Sequence, residues 1–405
     1  MSSDWLCQTL GDFVRLQRGH DLTASEQQPG NVPIMGSAGQ NGTHDRAIAK
    51  GPGVVIGRSG ASAGRVHFSA LDYWPHNTCL FVTDFLGNNP RFAYYLLQTI
   101  DLASHNSGSA QPSLNRNYLY SIPVNVPKRH EQDAIVEVLE TVDDRISLLR
   151  ETNATLESIA QALFKSWFVD FDPVRAKMEG RAPEGMDETT VALFPDSFEE
   201  SELGLVPKGW QALSFTETVD VIGGGTPKTS ISEYWNGEIP WFSVVDAPSA
   251  KDVFVIDTEK HITNVGLNSS STKLLPVGTT IISARGTVGR LALVGRAMAM
   301  NQSCYGLRGK AGNTYFTYFS TCRLVETLKQ RTHGSVFDTI TRDTLAGVSV
   351  VYPSEKIIDV FEKILDPIME RVKGNLVQAQ TLVTLRDTLL PRLISGQLRL
   401  PDVLR

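Results

Sequence analysis

The feature that most constrains this chain is that its sequence is written twice. GVVIGRSGASAGRV (Gly53 to Val66) aligns with GTTIISARGTVGRL (Gly278 to Leu291), matching Gly53 and Gly64 to Gly278 and Gly289, and Arg65 to Arg290. HNSGSAQPSLNRNYLYSIPVNVP (His105 to Pro127) aligns in turn with RTHGSVFDTITRDTLAGVSVVYP (Arg331 to Pro353). A helical pattern follows each copy, with Ile135, Leu139, Val142 and Ile146 falling on Phe361, Leu365, Ile368 and Val372. A repeat of about 200 residues is far longer than a solenoid unit. It implies two copies of a whole domain plus helix, and a chain that does one thing at two places.

Apolar residues recur at alternating steps of four and three after the first copy: Ile135, Leu139, Val142, Ile146, Leu149, Leu156, Ala160, Leu163 and Trp167. That is a coiled-coil seam, with Asn153 as the polar residue within it. A second seam runs through Phe361, Leu365, Ile368, Val372, Leu376, Ala379, Leu382 and Leu389, and Pro391 is expected to close it. The simplest partner for each seam is the other. Because domain and helix alternate, antiparallel packing is expected to carry the two domains to opposite ends. Asn153 is read as fixing register.

The reading is an α+β chain: a domain over 1–128, a coiled-coil helix over 129–169, a connector over 170–210, a second domain over 211–353, and a helix with tail over 354–405. In the first domain, strands are expected at Val32–Met35, Gly53–Ile56, Cys79–Val82 and Ile122–Val126, and a helix at Phe92–Leu102. The Pro-, Gly- and acid-rich connector reads as irregular, packed through Phe171, Leu193, Phe194 and Trp210.

Composition bounds the function. The net charge is −6, yet residues 1–127 hold 8 basic and 8 acidic side chains, whereas residues 128–210 hold 9 and 18. The acidity therefore sits in the first helix and connector, and a polyanion would touch the domains instead. Near-neutral domains bind phosphate weakly, so a partner would have to add positive charge. No run of about 18 apolar residues and no secretory signal is present, so a cytoplasmic protein is expected. Cys7, Cys79, Cys304 and Cys322 lack metal or redox spacing and read as reduced, buried thiols.

Catalytic readings fail on their residues. GGGTPKT (Gly223 to Thr229) lacks the glycine before the lysine of a phosphate loop, and Pro227 removes an N–H. NNPRF (Asn88 to Phe92) resembles the Asn-Pro-Pro-aromatic motif of adenine methyltransferases, but Arg91 replaces the second proline and no cofactor loop precedes it. The histidines have no metal-ligand spacing, and no metal or cofactor is expected in this chain. Asp143 and Asp144 read as a solvated helix face.

Nucleic-acid chemistry is better supplied. Gly60 and Gly64, with Gly286 and Gly289 in the second copy, follow a strand and suit tight turns. Arg58, Arg65, Arg285 and Arg290 beside them, with Ser62 and Thr287, are candidate phosphate contacts. The loop after the early strand differs between copies, 20 residues from Pro33 to Gly53 against 38 from Pro240 to Gly278. Gln40, Asn41, Thr43, His44 and Arg46 in the shorter, and Ser243 and Lys251 in the longer, are candidate base contacts, because Asn, Gln and Arg can pair bidentately with purine edges. Gln111, Arg116, Thr226, Lys228, His333 and Ser335 complete the candidate set.

With these segments in view, the chain resembles the specificity subunits of type I restriction-modification systems over essentially its whole length. The resemblance is carried by VIGGGTPKTSISEYWNGEIPW (Val221 to Trp241), the glycine loops, GSAQPSLNRNYLYSIPVNVP (Gly108 to Pro127), EQDAIVEVLETVDDRISL (Glu131 to Leu148) and ALFKSWFVDFDPVRAKMEG (Ala162 to Gly180). It implies two target-recognition domains on two antiparallel helices, a pseudo-two-fold arrangement, and double-stranded DNA as ligand. It further implies two methyltransferase subunits and, in some assemblies, two restriction subunits, which bind S-adenosylmethionine, ATP and Mg. The site is then expected to be bipartite and asymmetric. The rival reading is a two-headed adaptor that does not bind DNA.

Overall fold

The computed structural model describes residues 5–105, 113–249, 252–331 and 339–400. The chain divides into two compact units, residues 1–147 with 380–405, and residues 148–379. Each unit thus takes one domain and about half of each long helix.

In the first unit a four-stranded antiparallel sheet has the order Arg15–Arg18, Cys79–Asp84, Gly53–Gly57, Val66–Ser69. A smaller sheet joins Gly39–His44, Val32–Gly36 and Trp74–Pro75. The central strand Gly53–Gly57 is buried throughout, and its alternation decides what each face packs against. Val54 and Ile56 join the core under helix Pro90–Gln98, while Val55 packs with Met35, Tyr73 and Phe81. Strand Leu6–Thr9 pairs antiparallel with Pro123–Val126, so the domain's two ends meet before the long helix starts.

The second unit repeats this plan. Its larger sheet runs Val219–Gly223, Cys304–Gly309, Thr280–Ser283, Leu291–Val294, with a fifth strand, Phe254–Val255, added at the far edge. That strand comes from the longer 240–278 stretch and pairs parallel to Leu291–Val294. Ile282 faces the core with Phe215 and Leu324, and Ile281 faces Phe242 and Met300, as in the first copy. Gln211–Ser214 closes on Ser349–Tyr352. Even the capping boxes recur: Thr9 with Asp12 opens Leu10–Phe13, and Ser214 with Glu217 opens Phe215–Thr218.

The long helices are Arg129–Phe168 and Glu355–Ile394, 40 residues each and so about 60 Å long. In the second unit they run antiparallel. Asn153 Nδ2 donates to the Val372 carbonyl at 3.0 Å, and the Phe164 and Phe361 rings lie 6.0 Å apart. In the first unit Arg386 donates to Asp143 at 2.8 Å, and Ile135 and Leu139 share a core with Leu393 and Ile394. Of the seam residues, Ile135, Leu139, Ile146, Leu149, Asn153, Phe361, Leu365 and Val372 are buried. Val142, Leu156, Leu163, Ile368, Leu376, Leu382 and Leu389 are half-buried.

Several expectations need correction. Pro391 does not close the second helix, which runs to Ile394 because Leu393 and Ile394 are buried in the first unit's core. Helix Phe92–Leu102 is instead Pro90–Gln98, since Asn89 caps it by accepting from the Arg91 and Phe92 N–H groups. That cap also accounts for the Asn-Pro motif, and the Arg91 guanidinium lies 4.2 Å from the Phe68 ring centre. The connector is not irregular: it holds helices Asp172–Met178 and Glu188–Leu193 and a hairpin of Phe198–Ser201 with Gly204–Pro207. An aromatic cluster drives this, with Trp210 beside Phe168 and Phe171, and Trp167 against Phe194. Asp143 is no solvated residue, since it accepts from Tyr95 Oη at 2.6 Å as well as from Arg386, whereas Asp144 is exposed. Cys79 and Cys304 are buried, their thiols pushed up to about 12 by burial, but Cys7 is exposed.

Two stability predictions follow from buried polar groups in the second unit. Asn153 Oδ1 accepts from Asn375 Nδ2 at 2.9 Å, and both side chains are buried. Asn153→Leu leaves a buried amide short of a partner and is expected to cost about 1–3 kcal/mol in denaturant unfolding. The Asn153→Leu/Asn375→Leu double variant is expected to recover most of that loss, and simple additivity would contradict the pairing. Glu157 accepts the Val253 N–H at 3.2 Å, yet burial pushes its carboxyl up to about 7 from the ordinary 4.5. The stabilisation from its protonated form is therefore complete below pH 4.5 and lost as pH rises through about 7. Glu157→Gln is expected to raise the Tm at pH 8 and to leave it little changed at pH 4.5.

Candidate nucleic-acid interface

The two copies can be placed in register by their backbone contacts. The Arg58 N–H donates to the Thr78 carbonyl, and the Arg58 carbonyl accepts from Leu114; Ala284 does the same with Ser303 and Ile340. The Gly57 N–H donates to the Arg65 carbonyl as that of Ser283 does to Arg290, and Gly64 donates to Gly57 as Gly289 does to Ser283. Arg58 therefore stands where the second copy has Ala284, and Arg285 stands where the first has Ser59. The first loop is one residue longer, and Arg58 and Arg285 are not equivalents.

Gly60, Gly64, Gly286 and Gly289 all have φ between +72° and +84°, a region that disfavours side chains. Within each pair the first faces open space. A Cβ on the second would meet Ala103 at 2.8 Å or Val325 at 3.0 Å. The glycines thus serve the turn and its seat against the following helical segment.

A second equivalence lies at the sheet edge. A Cβ on Gly19 would fall 2.0 Å from the His76 carbonyl oxygen, and one on Gly224 would fall 2.0 Å from that of Asn301. Only glycine permits either approach. Two residues on, Asn77 Nδ2 donates to Asp21 Oδ1 in the first copy, and Thr226 Oγ1 donates to Gln302 Oε1 in the second. So Gln17-Arg18-Gly19-His20-Asp21 occupies the place of Ile222-Gly223-Gly224-Gly225-Thr226. The backbone brace is common and the side chains are not. GGGTPKT is accordingly a strand end with its continuation, not the start of a helix.

Beside Gln17–Asp21 lies an open, polar concavity of about 920 Å³ lined by Gln17, Arg18, His20, Arg58, Asn115 and Arg116, among others. Three of the eight basic side chains of residues 1–127 meet here. Asp21 lines it too, so three arginines face one carboxylate, a basic excess that suits a phosphate backbone although the domain is neutral. The Arg58 guanidinium has no hydrogen-bond or ion-pair partner among the described residues. Arg116 donates to the Leu16 carbonyl at 3.1 Å and keeps other N–H groups free for a ligand.

The remaining candidates scatter. Gln40, Asn41, Thr43 and His44 lie not on a loop but on strand Gly39–His44, paired with Val32–Gly36. The first three are exposed; His44 is buried edge-on to Trp74 at 5.2 Å, with Nδ1 accepting from the Gln28 N–H, and so is withdrawn from base contact. Arg46 is exposed, its guanidinium 5.6 Å from the Trp74 ring centre. Ser62 is half-buried, and Arg65, Arg285 and Thr287 are exposed. Arg290 is exposed but donates to the Ala247 and Pro248 carbonyls, at 3.3 and 2.7 Å, and so ties the long insertion down. Ser243 is a helix cap engaged with Asp246 at 2.8 Å; Thr226 is half-buried in its brace; Lys228 is exposed. Gln111, Lys251, His333 and Ser335 lie outside the described residues. Sequence reasoning missed Gln17, Arg18 and His20. The available signal was a polar run ahead of a glycine, opposite a glycine run in the second copy.

Two copies of one scaffold, each presenting different polar groups at equivalent places, define a protein with two recognition domains. The chain belongs to the family described as the type I restriction modification DNA specificity domain, whose model matches residues 2–158 and 207–376. It is a specificity subunit of type I restriction-modification systems, and its function is DNA sequence recognition. The HindI specificity subunit of Haemophilus influenzae is 28% identical over 98% of this chain and 100% of its own length. The MjaIX specificity subunit of Methanocaldococcus jannaschii is 31% identical over 44% of this chain and 43% of its own. The crystal structure of the type I S subunit from M. genitalium shares the fold, with a TM-score of 0.60 at 16% identity over 96% of each chain. The non-DNA adaptor reading has no support in these likenesses. Among the described residues no helix is long and apolar enough to cross a membrane.

The arginines separate by their contacts. In a complex competent for DNA, Arg58→Ala is expected to weaken binding to all sequences alike and to reduce the salt slope by about 1. Arg290→Ala is expected to lower the Tm and leave that slope unchanged. A slope altered by Arg290→Ala, or unaltered by Arg58→Ala, would reverse the assignment.

Proposed function

We propose that this chain reads a bipartite, asymmetric DNA site, one half-site per domain, and presents it to catalytic partners. The observation that carries this reading is the equivalence just described: the two domains share their backbone braces but differ at the polar positions those braces hold. Two equal scaffolds with unequal side chains favour two different half-sites with an unread spacer between them. Loop and strand-edge groups enter the major groove, and phosphate contacts set their register.

The chemistry is assigned to partners. Two adenine methyltransferase subunits would take S-adenosylmethionine and flip an adenine in each half-site. Two restriction subunits using ATP and Mg would join in a cutting assembly. The methyltransferase would also supply the positive charge that the near-neutral domains lack. In this reading the chain carries no cofactor and acts in the cytoplasm.

The test is modification-sensitive sequencing of DNA from a methylation-free host that expresses this chain with its neighbouring methyltransferase. The expected result is an asymmetric two-part motif bearing N6-methyladenine, absent when either protein is omitted. A single palindromic motif, or methylation without this chain, would refute the proposal.

A further inference from the structure

The edge of the first domain's large sheet holds a side-chain arrangement that deepens this reading and rests on it. Arg18 is the last residue of strand Arg15–Arg18, its backbone fixed opposite Leu80. Its guanidinium donates to Asp21 Oδ1 at 3.1 Å, and the same oxygen accepts from Asn77 Nδ2. Asn77 immediately precedes the segment that runs into the neighbouring strand, so the brace joins two sheet-anchored stretches. Arg18 is nevertheless half exposed, at 51% of its side chain, and lines the basic concavity with Arg58 and Arg116.

An exposed arginine–aspartate pair of this kind adds little stability. The contact, made by one Nη, restrains the guanidinium and leaves the other N–H groups for bidentate recognition. In the second domain the equivalent brace, Thr226 to Gln302, is kept, but Gly223 stands in the place of Arg18. The recognition group is absent there, although a side-chain brace spans the same two backbone positions with other residues. A group needed for folding would be required by both scaffolds, whereas one that reads a base is free to differ.

We infer that Arg18, oriented by Asp21 and Asn77, reads a guanine in the half-site bound by the first domain, donating two hydrogen bonds to O6 and N7. Guanine is the base whose major-groove edge offers two adjacent acceptors to such a fork. Arg58 and Arg116, on the wall of the same concavity, take the neighbouring phosphates. Asp21 and Asn77 are positioning residues.

The experiment measures binding of the complete complex, this chain with its methyltransferase, to its own motif with each half-site guanine replaced in turn by 7-deazaguanine. That base lacks the N7 acceptor and changes little else. One guanine in one half-site is expected to show a loss of about tenfold. With Arg18→Ala the same replacement is expected to have no effect, and the methylated motif is expected to degenerate at that position alone. Asp21→Asn is expected to keep the guanine preference with weaker discrimination, at an unchanged Tm. Arg18→Gln supplies the same readout where Arg18→Ala does not assemble. The inference is overturned if no guanine is sensitive, or if sensitivity survives the loss of Arg18. A wild-type complex that leaves no two-part motif overturns the underlying reading instead.

Discussion

The structure depends on a shared core: the long helices are not spacers attached to domains but parts of the domains' own interiors. In the first unit Ile135, Val136 and Leu139 bury against the core that contains Val54, Ile56 and Phe92, and Leu393 and Ile394 from the second helix join them. In the second unit Phe164 stacks on Phe319 and touches Phe316 and Phe361. A polar-faced helix of this length gains most of its stability from tertiary packing of its apolar stripe. Here that stripe is covered by the recognition domain and by the other helix together. Each domain's closing strand pair delivers the chain to the helix start, so the domain and the adjoining part of the helix share one core.

Duplication explains how recognition can vary on such a scaffold. Capping boxes, closing ladders, the second glycine of each loop and the Gly19 and Gly224 approaches are backbone devices, and all recur. Where a device needs only backbone or a short polar contact, the side chains beside it are free. Arg18 has its counterpart in Gly223, and Arg58 in Ala284. The variable groups are therefore held on sheet edges and strands as much as on loops, which reduces the entropy lost when they bind.

Polar groups inside the second unit follow a different logic. Asn153 and Asn375 satisfy each other within an apolar seam, and sliding one helix past the other would leave both amides unpaired. Glu157 sits where burial favours its neutral form and pushes its carboxyl up to about 7. Neither group belongs to the basic concavity. Register and reading are thus carried by separate residues.

The sequence by itself determined the duplication, the phase of both long helices, the main strands of the first domain and the lack of familiar catalytic motifs. These are local or periodic signals: a seam repeats every three or four residues, and a buried strand such as Gly53–Gly57 is apolar throughout. Tertiary structure alone decided the rest. The missing N–H of Pro391 is a local fact that predicts a stop, but burial of Leu393 and Ile394 is not local. The connector's composition predicts irregular chain because its aromatic residues find partners only in three dimensions. Arg58 falls on Ser283 when the repeats are matched along the chain, yet hydrogen-bond register puts it at Ala284. His44 has the chemistry of a base contact and is buried under Trp74. Nothing local marks Arg18: sheet pairing brings Asn77, 59 positions away, beside Asp21. Contacts between distant segments are set by which surfaces bury each other, and no local pattern encodes them.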